Sequence, residues 1–199
     1  MRRIMKGRKR ESILTTARQM FTRYGMRKTN LDEIARMARV AKATIYNYFG
    51  SKEQVYLEVV NREVNDLMEK IAEAVAQIKS PLEKLRVFYL TRLAKMKEAS
   101  GILNMEGNGN GYLAEGTSGI REHLFKKEIN IVQSILEEGV KEGVFQMDNI
   151  IQTARVLGYA LKGLESAYPS PRSPEEIEAD FEGFFNVICR GILAKKGER

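Results

Sequence analysis

The chain has one cysteine (Cys189), one histidine (His123), no tryptophan and only four prolines in 199 residues. A lone cysteine rules out an intrachain disulfide and fits a reducing compartment. A lone histidine cannot build a His-rich metal site. It also leaves a Ser-His-Asp triad dependent on His123, for which the sequence offers no convincing partners. No apolar run approaches the roughly 20 residues that cross a bilayer. The first ten residues, MRRIMKGRKR, are basic with no apolar stretch after them, so no secretory signal is expected. A cytoplasmic protein without membrane attachment, cofactor, metal or catalytic residues is the expectation.

What is present is charge, unevenly placed. Hydrophobic residues make up 43% and charged residues 30%, a globular balance. Residues 1–52 hold 14 Lys+Arg against 3 Asp+Glu, and the remainder holds 19 against 23, giving the net +7. A basic head on a slightly acidic body is the footprint of nucleic-acid binding, although a solvated basic face would look the same.

The apolar positions repeat at helical spacing almost throughout, and no strand or internal repeat is apparent. Ile13, Leu14, Ala17, Met20, Phe21 and Tyr24 define a first helix that Gly25 should stop. Thr29 is placed to cap a short second helix, with Asp32 and Glu33 in its first turn. A third runs from about Lys42 to Phe49, and Ser51 can cap a long fourth. Ser80-Pro81 restarts the chain as a fifth helix. A glycine-rich stretch, Gly101 to Gly119, interrupts the pattern as a loop or a gate. Helical spacing resumes from Leu124 to near Gly143, followed by helices at about Asp148–Tyr168 and Ser173–Lys195.

The informative segment is residues 29–52, TNLDEIARMARVAKATIYNYFGSK. Two short helices joined by a tight turn need a small residue where they cross and apolar anchors on the second. Ala35 supplies the first, while Val40, Ile45 and Phe49 supply the anchors. Lys42, Thr44, Tyr46, Asn47 and Tyr48 then face outward, a set able to bond phosphates and reach base edges in a major groove. Any compact helical hairpin would share the spacing.

Thr29, Asp32-Glu33-Ile34-Ala35, Ala38-Arg39-Val40 and Thr44-Ile45-Tyr46-Asn47-Tyr48-Phe49-Gly50-Ser51-Lys52-Glu53 together resemble the signature of the TetR family of regulators. The resemblance is specific over about the first sixty residues and architectural beyond them. It implies an all-α protein with two domains. Residues 1–52 would be a three-helix, helix-turn-helix DNA-binding domain, and residues 53–199 a helical ligand-binding and dimerisation domain. It further implies a sequence-specific, ligand-responsive repressor acting on a palindromic or near-palindromic duplex operator. Thr29 would touch the DNA backbone, Lys42, Thr44, Tyr46 and Asn47 would face the groove, and Tyr48 and Lys52 would bind phosphate. Arg2, Arg3, Lys6, Arg8, Lys9 and Arg10 would form an arm along the duplex or a solubilising tail. Three positions depart from the family: Arg39 and Ala43 stand where glycine is usual, and Ala41 stands where serine usually caps the recognition helix. If residue 39 is left-handed, a side chain there costs about 1–2 kcal/mol, and the lost cap costs ~1 kcal/mol.

The last two helices carry more apolar surface than one core face needs. Leu157, Leu161, Leu164, Phe181, Phe184, Phe185, Ile188 and Ile192 are the candidate homodimer interface, with Gly158, Gly163, Gly183 and Gly191 allowing close approach. The alternative is that they fill a monomer core. In the family the middle helices enclose a small-molecule effector. Tyr89, Arg92, Leu93, Met96, Asn104, Tyr112, Phe125 and Tyr159 are the candidate lining, an apolar set with polar handles. Arg92 either receives an anionic group or pairs with a carboxylate.

Two other classes compete. Gly109-Asn110-Gly111-Tyr112-Leu113-Ala114 formally matches a dinucleotide-binding pattern, which needs a preceding strand that the sequence lacks. A non-specific DNA-coating protein would share the charge asymmetry but not the sequence preference.

Overall fold

A computed structural model describes the backbone over residues 2–98, 111–166 and 173–192, with side chains described over 7–94, 118–163 and most of 173–191. Among these residues there are eight helices and no β-strand. They are α1 (Arg2–Lys28), α2 (Leu31–Met37), α3 (Lys42–Phe49), α4 (Lys52–Ala76), α5 (Pro81–Glu98), α6 (Gly111–Lys141), α7 (Ile150–Ser166) and α8 (Pro174–Ile192). The all-α expectation holds. Two compact units are present: Met1–Leu67 with Ala94–His123, and Met68–Leu93 with Leu124–Arg199.

In the first unit, Ile13, Leu14, Ala17, Met20 and Phe21 share one buried face of α1. Gly25 does not end the helix as its sequence position suggests. It kinks it at φ 76, ψ 160, and a last turn continues to Lys28. Tyr24 escapes the apolar stripe and is exposed, with the Arg23 guanidinium 5.2 Å from its ring centre. Ion pairs tie α1 to α4: Arg10–Glu58 at 2.6 Å, Arg62–Glu11 at 2.5 Å, and Arg18–Glu63. Between them Phe21 meets Tyr56 edge-on at 5.4 Å.

The cap of α2 is Asn30 rather than Thr29. Asn30 Oδ1 accepts the Asp32 N–H at 3.0 Å, while Thr29 is only 2% exposed. Its hydroxyl donates to the Gly25 carbonyl at 2.8 Å, satisfying an acceptor in the last turn of α1. Ser51 caps α4 as expected, its hydroxyl accepting the Gln54 N–H at 3.2 Å.

In the second unit, Ser80 precedes Pro81 at the start of α5, and the Lys84 N–H reaches the Ser80 carbonyl at 2.8 Å. The expected glycine-rich loop is shorter than its composition suggests. Residues 111–119 already belong to α6, and residues 101–110 lie outside the described residues. Gly111 to Ala114 are therefore helical, which is not the geometry of a dinucleotide-binding turn. After α6 the chain turns tightly. Gly143 adopts φ 72, and the Val144 and Phe145 N–H groups both donate to the Gly139 carbonyl. The Phe145 ring lies so close over Gly139 that an added Cβ would stand 2.1 Å from it. Asn149 caps α7, and Ser173 with Glu176 forms a reciprocal capping box on α8.

Burial corrects the reading of the last two helices. Leu157, Leu161, Phe181, Phe185 and Ile188 are all buried within the chain itself, and Phe184 is half-buried. Leu85, Phe88, Tyr89 and Leu136 of the same unit are buried too, with Phe181 stacked on Phe185 at 5.6 Å and tilted against Tyr89 at 6.1 Å. Each such side chain contributes about 1.5–3 kcal/mol by leaving water, so no partner is needed to cover them. Leu164 and Ile192 lie in α7 and α8, but their side chains are outside the described residues. The apolar groups left exposed are others: Ile151, Val156 and Tyr159 on one face of α7, and Val187, 71% exposed, on α8. Among the described residues no helix is long and apolar enough to cross a membrane, and no cluster of metal-ligating side chains occurs.

Candidate functional site

The turn between α2 and α3 sets the pose of α3. Ala38 closes α2, Arg39 takes φ 55, and the Val40 N–H returns to the Ala35 carbonyl at 2.9 Å. Arg39 is the one non-glycine residue with positive φ among the described residues, at the position where glycine is expected. On the α1 side, Ser12 donates its hydroxyl to the Ala38 carbonyl at 3.1 Å and so anchors the turn. α3 begins at Ala41 with no side-chain cap bond and ends at Gly50, φ 78, whose N–H donates to Tyr46 O.

The eight residues of α3 then divide cleanly. Ile45 and Phe49 point into the unit and are buried, with Arg10 placed 5.6 Å over the Phe49 ring. Lys42, Ala43, Tyr46 and Asn47 are exposed, while Thr44 and Tyr48 are half-buried along the border. The exposed set offers a cation, a phenol and a carboxamide within two turns of one short helix. That combination can bond phosphates and read base edges.

Three expected contact residues have further engagements. Lys42 Nζ bonds Asp32 Oδ2 at 2.9 Å, which bridges the leading turns of α2 and α3 and raises the Lys42 pKa. Lys52 Nζ donates to the Thr29 carbonyl at 3.1 Å, so it fastens the start of α4 to the residue before the α2 cap. Thr29, buried and bonded inward, is withdrawn from any ligand face. Sequence reasoning missed Asn30, although an asparagine directly before an apolar helix was the available signal. The partner of Lys42 was not legible, because nothing in sequence sets the distance between residues 32 and 42.

The expected effector residues separate into two groups. Tyr89 and Arg92 lie one turn apart on α5, both buried, and Arg92 Nε donates to Glu128 Oε1 at 2.7 Å. Of the two roles open to Arg92, pairing with a carboxylate is the one observed. Phe125 packs on Tyr159 at 5.2 Å beneath the Lys162 ammonium, 3.7 Å above the Phe125 ring. Tyr159 itself is exposed on the outer face of α7, where Asn149, Ile151, Gln152, Arg155 and Val156 share a shallow depression with it. Leu93 is half-buried. Met96 and Tyr112 fall in α5 and α6 without described side chains, and Asn104 is outside the described residues.

Comparison with known proteins agrees with this geometry. Residues 13–59 match the family model for bacterial regulatory proteins of the tetR family. The uncharacterised HTH-type transcriptional regulator YhgD of Bacillus subtilis is 27% identical over 144 residues, 69% of this chain and 72% of that protein. The HTH-type transcriptional repressor KstR2 of Mycolicibacterium smegmatis is 23% identical over 198 residues, 96% of this chain and 94% of its own. In fold, the chain is similar to a transcriptional regulator from Cytophaga hutchinsonii. The TM-score is 0.80 at 20% identity, covering 92% of this chain and 98% of that one. The matched segment runs from the buried face of α1 through the outward side of α3 into α4, and what it establishes is that the chain carries, over residues 13–59, the DNA-binding domain of the tetR family of bacterial regulatory proteins.

Proposed function

We propose that the protein is a homodimeric, ligand-responsive repressor in which residues 1–52 read an operator and residues 53–199 bind an effector and pair the chains. The observation that carries this reading is the division of α3. Ile45 and Phe49 are spent on the core while Lys42, Tyr46 and Asn47 stand exposed together. Tyr46 and Asn47 read base edges, Lys42 and Tyr48 meet phosphate, and Thr44 lies at the groove edge. Lys52 acts mainly by holding the Thr29 carbonyl and thereby the start of α2.

Pairing uses the exposed faces of α7 and α8, with Ile151, Val156, Tyr159 and Val187 as the apolar contacts. Two α3 helices then reach half-sites about one turn, ~34–36 Å, apart on a palindromic duplex. Repression is favoured over activation by the full-length likeness to a repressor. No catalytic step is assigned, and the working place is the cytoplasm.

The test is selection of duplexes from a random pool with the purified protein at near-physiological salt. Recovery of one palindromic or near-palindromic site is expected. Tyr46→Ala or Asn47→Ala should relax preference at particular base pairs, whereas Lys52→Ala should weaken all duplexes alike and lower thermal stability. A folded protein that recovers no preferred sequence refutes the repressor reading in favour of a non-specific binder.

A further inference from the structure

Within the second unit, a polar group is buried without a bond. Tyr89 is wholly buried, edge-on to Phe88 at 5.3 Å and to Phe184 at 6.1 Å, and tilted against Phe181 at 6.1 Å. Its hydroxyl has no hydrogen-bond partner among the described residues. Buried polar groups are nearly always bonded, and an unbonded one is a cost that a binding partner would remove. Burial, reinforced by the Glu128 carboxylate and opposed by Arg92, holds the phenol pKa well above its ordinary value. The O–H donor therefore persists wherever the folded protein is ordinarily handled. Beside it Arg92 and Glu128 form an ion pair, each side chain 5% exposed or less.

This rests on the effector reading above. We propose that Tyr89, flanked by the Arg92–Glu128 pair, receives the uncharged hydrogen-bond acceptor of an apolar effector, such as the carbonyl oxygen of a ketone, ester or amide. Charge balance decides the class. Arg92 and Glu128 already neutralise each other, so a ligand carboxylate would bring a third, uncompensated charge into the interior. A cationic head would do the same with the opposite sign. A carbonyl oxygen accepts the Tyr89 O–H and adds no charge. The rings of Phe88, Phe181 and Phe184 suit an apolar, aromatic body.

Acetophenone, benzoate and benzyltrimethylammonium share a phenyl body and differ in head charge, so they serve as probes. Each is titrated calorimetrically into the full-length protein and into Tyr89→Phe, with thermal unfolding recorded for both. Tyr89→Phe should unfold at the wild-type temperature or above, because no bond is lost. Acetophenone should bind wild type about tenfold more tightly than either charged probe, and Tyr89→Phe should lose about that factor, the worth of one net hydrogen bond. The inference is overturned by tighter binding of benzoate or the cation, by equal binding of acetophenone to the variant, by no binding of acetophenone to wild type, or by a lowered unfolding temperature of Tyr89→Phe. Duplex affinity is read separately. Acetophenone that binds through Tyr89 without altering duplex affinity supports this inference and fails the effector reading, whereas release of duplex driven by benzoate does the reverse.

Discussion

Replacing Arg39 with glycine should make the protein more stable, although it deletes a side chain and adds chain freedom. Arg39 sits at φ 55 in the turn before α3. An L-residue held there costs about 1–2 kcal/mol because its Cβ crowds the backbone. Glycine removes that crowding but increases the freedom of the unfolded chain, which returns about 0.5–1 kcal/mol. The net gain is then about 0–1.5 kcal/mol, or up to roughly 6 °C in Tm for a chain of this length. Arg39→Ala is the control, since it removes the guanidinium and keeps the Cβ. Urea unfolding of the three proteins, read by helical circular dichroism, separates backbone from charge. Arg39→Gly should exceed Arg39→Ala in midpoint with an unchanged slope. If the glycine variant is no more stable than the alanine one, the left-handed turn is not strained and the reasoning fails.

Ala41→Ser restores an oxygen at the uncapped start of α3 and should add about 0.5–1 kcal/mol by the same unfolding assay. Arg18→Ala strands the Glu63 carboxylate, only 7% exposed, and should cost about 1–3 kcal/mol. By contrast, Arg62→Ala leaves Glu11 59% exposed to water and should cost less than about 1 kcal/mol in a parallel melt. The hydrogen bond from Arg62 holds the Glu11 pKa below its ordinary 4.5, with burial opposing it slightly. A lowered carboxylate pKa stabilises the fold above the unfolded value and loses that contribution as pH falls through the folded one. Glu11→Gln should therefore narrow the stability gap to wild type between pH 5 and pH 3, and an unchanged gap would count against the pair.

The helix-turn-helix was the most legible part of the chain because its signals are local. Gly50 and Ser51 announce the end of α3 and the start of α4, and the structure places both where they were expected. Errors arose where tertiary contacts choose between equivalent local options. Thr29 and Asn30 are both capping residues, and the carbonyls of Gly25 and Met20 on α1 take the Thr29 hydroxyl inward. Residues 111–119 are rich in glycine yet helical, since propensity is a weak prior against packing. In α7 and α8 the count of apolar residues was informative, but it could not say which face the chain covers itself. Leu157, Phe181 and Ile188 proved internal, and Val187 with its exposed neighbours on α7 could not be separated from them by type.

The ion pair between Lys42 and Asp32 also changes what a salt titration would count. When a free lysine meets a phosphate, a condensed cation leaves the duplex, and log K falls by about 0.9 per decade of salt for each such contact. Lys42 arrives already carrying a carboxylate as its counterion. On transfer to a phosphate it releases a cation from the duplex, but the vacated Asp32 attracts one in return, so the two terms partly cancel. The salt slope from a Lys42–phosphate contact would then fall short of about 0.9 for each α3 engaged. Asp32→Asn would make the slope steeper while leaving the number of contacts unchanged.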